Sequence, residues 1–226
     1  YADYAQTSTH AGAATLATGC VPAVHGIVSK SWYDRATNRP VNLCQGVQSN
    51  ETRPYTGITE EYSGDCIVAQ TLSEAVTEYS PSSRAITIAH TPQSAILTAG
   101  RTGECYWLDE RGNWSSARCY AEVLPSWINT YNDDGYNNIF ASYQWYGKYT
   151  RERYRNTHTT AVTLYENSKN KRTPVKQVAS QNAVVNILTT PTGNPAIFEV
   201  AKRAVSALFP LRAYDRKVLN IYLDTP

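Results

Sequence analysis

The sequence has no methionine and only 3 phenylalanines in 226 residues. It opens at Tyr1-Ala2-Asp3-Tyr4, with neither an initiator nor a signal peptide. Two explanations fit: an internal piece of a longer protein, or modified methionines left out of the written sequence. Apolar runs stay well short of the ~18 residues that a membrane-spanning helix needs, so no segment reads as one. Charged residues are 18% of the chain, below the roughly 25% usual in soluble domains. Lys and Arg number 21 against 19 Asp and Glu, and no basic block occurs. The counterion-release footprint of a nucleic-acid binder is therefore missing. There is no phosphate-binding glycine loop, no G-x-S-x-G, no H-E-x-x-H and no dinucleotide fingerprint. No C-x-x-C or Cys/His cluster has zinc spacing either, which argues against a structural zinc.

What is present is a chain long enough to bury one sizeable core without covalent staples. Hydrophobic residues make up 42%, with 17 Tyr and 5 Trp. The tyrosines suit ordinary packing in half-buried strands or a sugar-facing or periplasmic surface. Small residues from Ala11 to Thr18 predict a short helix, entered through the hydroxyl run Thr7-Ser8-Thr9 and ended by Gly19. Residues 31–35 and 40–43 predict a hairpin around Ala36-Thr37-Asn38-Arg39. Asp65 is expected to cap a helix with Ile67, Val68, Leu72, Ala75 and Val76 at three- and four-residue spacing, followed by a strand at 85–89. A second helix-then-strand unit closes the chain: Ala196, Ile197, Val200, Ala201, Ala204, Val205 and Leu208, then 217–223.

Such units build parallel sheets. The expected fold is an α/β class αβα sandwich with a mainly parallel central sheet. Residues 1–100 form the first part of the core. Residues 101–185 read as an inserted, aromatic-rich cap containing a hairpin and a helix at 124–131, and residues 186–226 return to the core.

Five cysteines stand at 20, 44, 66, 105 and 119. The hairpin from Cys105 to Cys119, with its turn at residues 110–113, is expected to set these two cysteines opposite each other. A disulfide there would close a loop of about 15 residues and contribute roughly 3 kcal/mol in the chain-entropy model. Cys44 and Cys66 flank a turn-rich loop and form a second plausible pair, leaving Cys20 free. Both pairs imply an oxidising compartment; five reduced, buried cysteines of a cytosolic protein are the alternative.

Thr9 sits where a helix N-terminus would face it with unpaired N–H groups and the positive end of the dipole, so it is a candidate nucleophile or anion contact. Serine and threonine caps are common, and spacing alone does not separate the two roles.

Thr9 through Gly19, then Val21-Pro22-Ala23-Val24-His25-Gly26-Ile27-Val28 and Trp32-Tyr33-Asp34-Arg35, resembles the nucleophile region of the alkaline phosphatase superfamily. The likeness is to its phosphodiesterase-like branch, which holds Bacteroidetes-type periplasmic alkaline phosphatases with a threonine nucleophile and the nucleotide pyrophosphatase/phosphodiesterases. It resumes, in order, at residues 68–76, 84–89, 94–100, 106–107, 112–114, 124–127 and 190–194.

The resemblance implies a phosphoric ester hydrolase with two zinc ions and Thr9 as covalent nucleophile, its hydroxyl also a metal ligand. Lys30 falls where the family has an asparagine that contacts a phosphoryl oxygen. Thr91 and Gln93 fall at the place of a Lys-Asp-Arg run that grips the phosphate of monoesters. His10 and Ala13 replace the usual glycine and histidine beside the nucleophile. The family's Asp and His metal ligands have no counterparts within the chain, so an incomplete chain is expected. His25 reads as structural, and His90 and His158 lack carboxylates at ligand spacing. The implied partners are a phosphate-ester substrate and an envelope protein, and the implied location is periplasmic or otherwise extracytoplasmic. The alternative is a catalytically degenerate relative acting as a binding or scaffold subunit of a cell-envelope assembly.

Overall fold

In the computed structural model, residues 4–46, 56–59, 61–136, 139, 193–208 and 215–223 are described. Helix α1 (Thr9–Thr18) starts where Ser8 accepts the Ala11 N–H at 3.4 Å. It stops at Gly19, whose left-handed φ of 69° lets its N–H reach the Thr15 carbonyl at 2.8 Å. Helix α2 (Pro22–His25) follows with proline in its first turn. Strands β1 (Ser31–Asp34) and β2 (Arg39–Asn42) form the expected antiparallel hairpin.

After the short β3 (Ile58–Thr59) comes α3 (Leu72–Tyr79). This helix begins later than the apolar spacing suggested, and its cap is Thr71 rather than Asp65. Thr71 and Glu74 form a reciprocal capping box that fixes the start, whereas Asp65 accepts a hydrogen bond from the Ser63 hydroxyl at 2.6 Å within a turn.

The remaining elements are β4 (Arg84–Ala89), α4 (Pro92–Ala99), β5 (Glu104–Leu108), β6 (Trp114–Ala117), α5 (Ser126–Asp133), α6 (Gly193–Leu208) and β7 (Lys217–Tyr222). Five strands make one sheet in the order β3-β6-β5-β4-β7, with every pair parallel except β5 with β6. Alternation along its central strands sorts the core into two layers. Ile86, Ile88, Tyr106 and Leu108 face α5 and α6, meeting Ile128, Tyr131, Ile197 and Val200. Ala89, Cys105 and Trp107 belong to the opposite cluster, with Ala13 and Ala14 of α1 and Ala95, Ile96 and Leu97 of α4. The sheet is thus covered on both faces, which is the expected αβα sandwich with a mostly parallel sheet. Burying each such isoleucine contributes about 1.5–3 kcal/mol.

Two expectations need correction. Strands β5 and β6 are members of the central sheet, and α5 supplies Ile128 and Tyr131 to its core. The stretch from 104 to 133 is therefore core, not cap. Its strands lack a polar face because both sides are covered, so they do not show the alternation of a half-exposed sheet. The rest of the expected cap, from 137 onward, lies outside the described residues apart from position 139. Second, the hairpin pairs Trp107 with Ser115 and Leu108 with Trp114. Continued along the strands, this register sets Cys105 opposite Ala117, because Asp109 closes the turn by donating its N–H to the Asn113 carbonyl at 2.9 Å. Cys119 lies past the end of β6, with an exposed thiol that donates to the Tyr62 carbonyl at 3.4 Å.

A candidate phosphoryl site at the sheet edge

The C-terminal end of β4 leads through His90 and Thr91 into α4, and α1 packs beside α4. Ligands of open α/β sheets collect at such strand ends. Thr9 occupies the first helical position of α1 and is exposed. Its approach is held by Gln6, whose side-chain amide donates to the Val28 carbonyl and so ties the entry of α1 to the segment leading to Lys30. The backbone carbonyl of Lys30 accepts the Leu43 N–H at 2.9 Å, and its side chain is exposed.

Lys30 and Gln93 line one cavity of about 340 Å³, together with Asn42, Leu43, Gln45, Glu61 and Tyr62. The structure therefore brings together two residues that the sequence placed at phosphoryl-binding positions. Thr9 and Thr91 are not among the lining residues. Thr91 is the N-cap of α4: its hydroxyl accepts the Ser94 N–H at 3.4 Å and donates to the Ser94 hydroxyl at 3.0 Å.

The remaining lining residues were not anticipated from the sequence. Asn42 and Gln45 come from the end of β2, and Glu61 and Tyr62 from the segment after β3. The two stretches are joined by an antiparallel bridge between Gln45 and Tyr62 and by the Gly46 N–H donated to the Glu61 carbonyl at 2.7 Å. Tyr62 stands edge-on to Trp107, centroids 5.7 Å apart, and burial pushes its phenol up, with Glu61 adding to the effect. The cavity thus presents one ammonium, one carboxylate, three side-chain amides and a phenol. No ion pair joins Lys30 or Glu61 to another described residue.

His25 and His90 serve the fold. Nδ1 of buried His25 accepts the Ile27 N–H at 3.1 Å, which leaves Nε2 as the donor to the Thr15 hydroxyl, also at 3.1 Å. Burial lowers its pKa, in keeping with a neutral ring. Nε2 of His90, 1% exposed, lies 2.9 Å from the Gly193 carbonyl and ties the end of β4 to the start of α6. Position 158 lies outside the described residues. Among the described residues, no group of three or more His, Cys, Asp or Glu side chains could hold a metal ion. They do not by themselves fit the zinc pair that the resemblance implies.

Comparison with known proteins agrees with this architecture. The chain is 28% identical over 218 residues to alkaline phosphatase PhoV of Synechococcus elongatus, covering 90% of this chain and 38% of that protein. It is 25% identical over 217 residues to alkaline phosphatase PafA of Elizabethkingia meningoseptica, covering 90% of this chain and 39% of that one. The crystal structure of wild-type alkaline phosphatase PafA superposes with a TM-score of 0.78 at 21% identity, over 97% of this chain and 44% of that chain. The chain thus spans well under half the length of these relatives. Residues 3–173 match the family described as type I phosphodiesterase / nucleotide pyrophosphatase. That match takes in most of the chain, which therefore belongs to the type I phosphodiesterase / nucleotide pyrophosphatase family.

Proposed function

We propose that the protein containing this chain is a metal-dependent hydrolase of phosphoric esters that works outside the cytoplasm through a Thr9 nucleophile. The observation that supports the reading is the meeting of Lys30 with Gln93, from the first turn of α4, in one open cavity; the role of Thr9, which does not line it, rests on the resemblance. Thr9 Oγ1 attacks phosphorus, and the first turn of α1 turns the positive end of its dipole toward the developing charge. Lys30 supplies the ammonium for a non-bridging oxygen and Gln93 a neutral donor.

With one cation in the cavity and neutral side chains at Thr91 and Gln93, a monoanionic diester is matched better than a dianionic monoester. Each charge-assisted contact missing for the monoester is worth about 1.5–3 kcal/mol. The zinc pair would require Asp and His ligands in addition to the Thr9 hydroxyl, and no step is assigned to it on the described residues. No helix among the described residues is long and apolar enough to cross a membrane.

The test is a zinc-supplemented assay of the full-length protein on aryl mono- and diesters, with Thr9→Ala alongside. Turnover that survives Thr9→Ala would exclude the nucleophile. Full-length protein with bound phosphate ester but no turnover would instead favour the binding or scaffold role in an envelope assembly.

A further inference from the structure

One wall of the cavity carries a chemical feature that the hydrolytic reading does not use. Cys44 is fully buried directly between the lining residues Leu43 and Gln45, in a left-handed conformation with φ of 58°. Its sulfur lies 3.5 Å from that of Cys66, which belongs to the segment that runs on to α3. The two backbones are already held together. Ser63 donates its N–H to the Cys44 carbonyl at 2.9 Å, and Gly46 donates to the Glu61 carbonyl at 2.7 Å.

We propose that Cys44 and Cys66 are a disulfide-forming pair that fastens the end of β2 to the segment after β3 and thereby fixes the Asn42–Gln45 wall of the cavity. A modest rotation of the side chains brings sulfurs at this separation to bonding distance. The roles in bond formation are unequal. Cys44 is fully buried whereas Cys66 is half-buried, and the Cys66 thiol donates to the Cys44 sulfur at 3.5 Å. Cys66 is therefore the sulfur that an oxidant in solution reaches first.

With a small disulfide such as oxidised glutathione as oxidant, the Cys66 sulfur attacks one glutathione sulfur and expels the other as a thiolate. Cys44 then attacks the Cys66 sulfur of the mixed disulfide and releases the second glutathione. The two cysteine thiols lose two protons and two electrons in all, and one oxidised glutathione becomes two reduced ones.

The test uses the full-length protein, incubated with oxidised glutathione, alkylated in denaturant and mapped by mass spectrometry. The expected result is a Cys44–Cys66 cross-linked peptide pair, with Cys20 alkylated as a free thiol. Cross-linking should also slow backbone hydrogen exchange at Gly46 and Ser63 at least about tenfold, and reductant should reverse it. In the chain-entropy view the bridge shifts the unfolding equilibrium by about three-hundredfold, raising Tm by several degrees. Recovery of Cys44 and Cys66 as separate alkylated thiols would overturn the pairing, as would a Cys44 or Cys66 cross-link to Cys105 or Cys119. A Cys44–Cys66 link without added protection at Gly46 and Ser63 would overturn the claim that it fixes the wall. None of these readouts depends on turnover, so the pairing can fail while the hydrolase reading stands, and the reverse.

Discussion

Two groups of charged side chains in this molecule are arranged in opposite ways. Glu74 of α3 is 1% exposed and saturated: its carboxylate accepts the Thr71 N–H at 2.7 Å and the Arg101 N–H and Nε at 2.8 Å each. The chain turns tightly against it. Gly100 has φ of 72°, and a Cβ there would stand 2.5 Å from the Thr71 hydroxyl and 2.7 Å from the Glu74 carboxyl carbon. Lys30 and Glu61 share the other group, an open cavity in which both side chains are exposed. Where charge serves the fold, its hydrogen-bonding capacity is filled by the protein. Where it stays exposed around a cavity, the fold does not rely on it.

The contrast yields ranked tests. The largest effect is expected for Thr9→Ala in the full-length protein, a loss of at least about a thousandfold in kcat with Tm unchanged, since removing a nucleophile leaves only binding and electrostatics. Glu74→Ala should do the reverse. It should cost about 2–3 kcal/mol of stability by removing the cap partner and leaving backbone donors unsatisfied, while kcat per folded molecule stays the same. Thermal unfolding beside active-site titration would separate the two. Lys30→Ala should lower kcat/KM for diesters about tenfold to a hundredfold, with stability moving by less than about 0.5 kcal/mol. A Tm collapse in that variant would erase the distinction drawn between the two groups.

The smallest effects are in pH dependence. Neutral, buried His25 has a lowered pKa, so the unfolded chain binds a proton that the folded chain does not as pH falls below 6.5. Stability should therefore start to decline there. Glu74 acts lower on the scale. Burial alone would raise its carboxyl, but hydrogen bonds from the Arg101 side chain and the backbone hold it below the ordinary value of 4.5. Its contribution is complete above 4.5 and is lost as pH falls through the folded value. Denaturant midpoints measured between pH 7 and 3 should decline in those two stages, and Glu74→Gln should diminish the lower one, to which Asp34, also held below its ordinary value, contributes.

Residue type and local periodicity carried much of this fold. Helix α1 was legible from the hydroxyl run Thr7-Ser8-Thr9 and from Gly19 at its ends, and α6 from the three- and four-residue spacing of Ala196, Ile197, Val200 and Ala204. The start of α3 was misread because Ile67 and Val68 extend the apolar spacing backward, although Thr71-x-x-Glu74 was the stronger signal. The role of β5 was hidden for the reason that makes it central: both faces are buried, so its sequence carries no polar side to mark a sheet.

At the candidate site, Lys30 and Gln93 were reached only through resemblance. Asn42, Gln45, Glu61 and Tyr62 were missed because a wall assembled from two irregular stretches leaves no periodic trace in either. Thr91 shows the opposite hazard: a hydroxyl that the resemblance put at a phosphoryl-binding position serves in the structure as an ordinary helix cap.

The wall itself has a consequence for how the family can diversify. Its anchors are Leu43 and Cys44, buried in the cluster beneath the sheet, while Asn42, Gln45 and Glu61 point into exposed space. Mutations at the exposed three can change what the cavity accepts while the anchors keep their packing. A lineage can thus try new ester substituents without first approaching the stability threshold that purges most core changes, and selection for new substrates should leave its marks at 42, 45 and 61 before it touches 43 or 44.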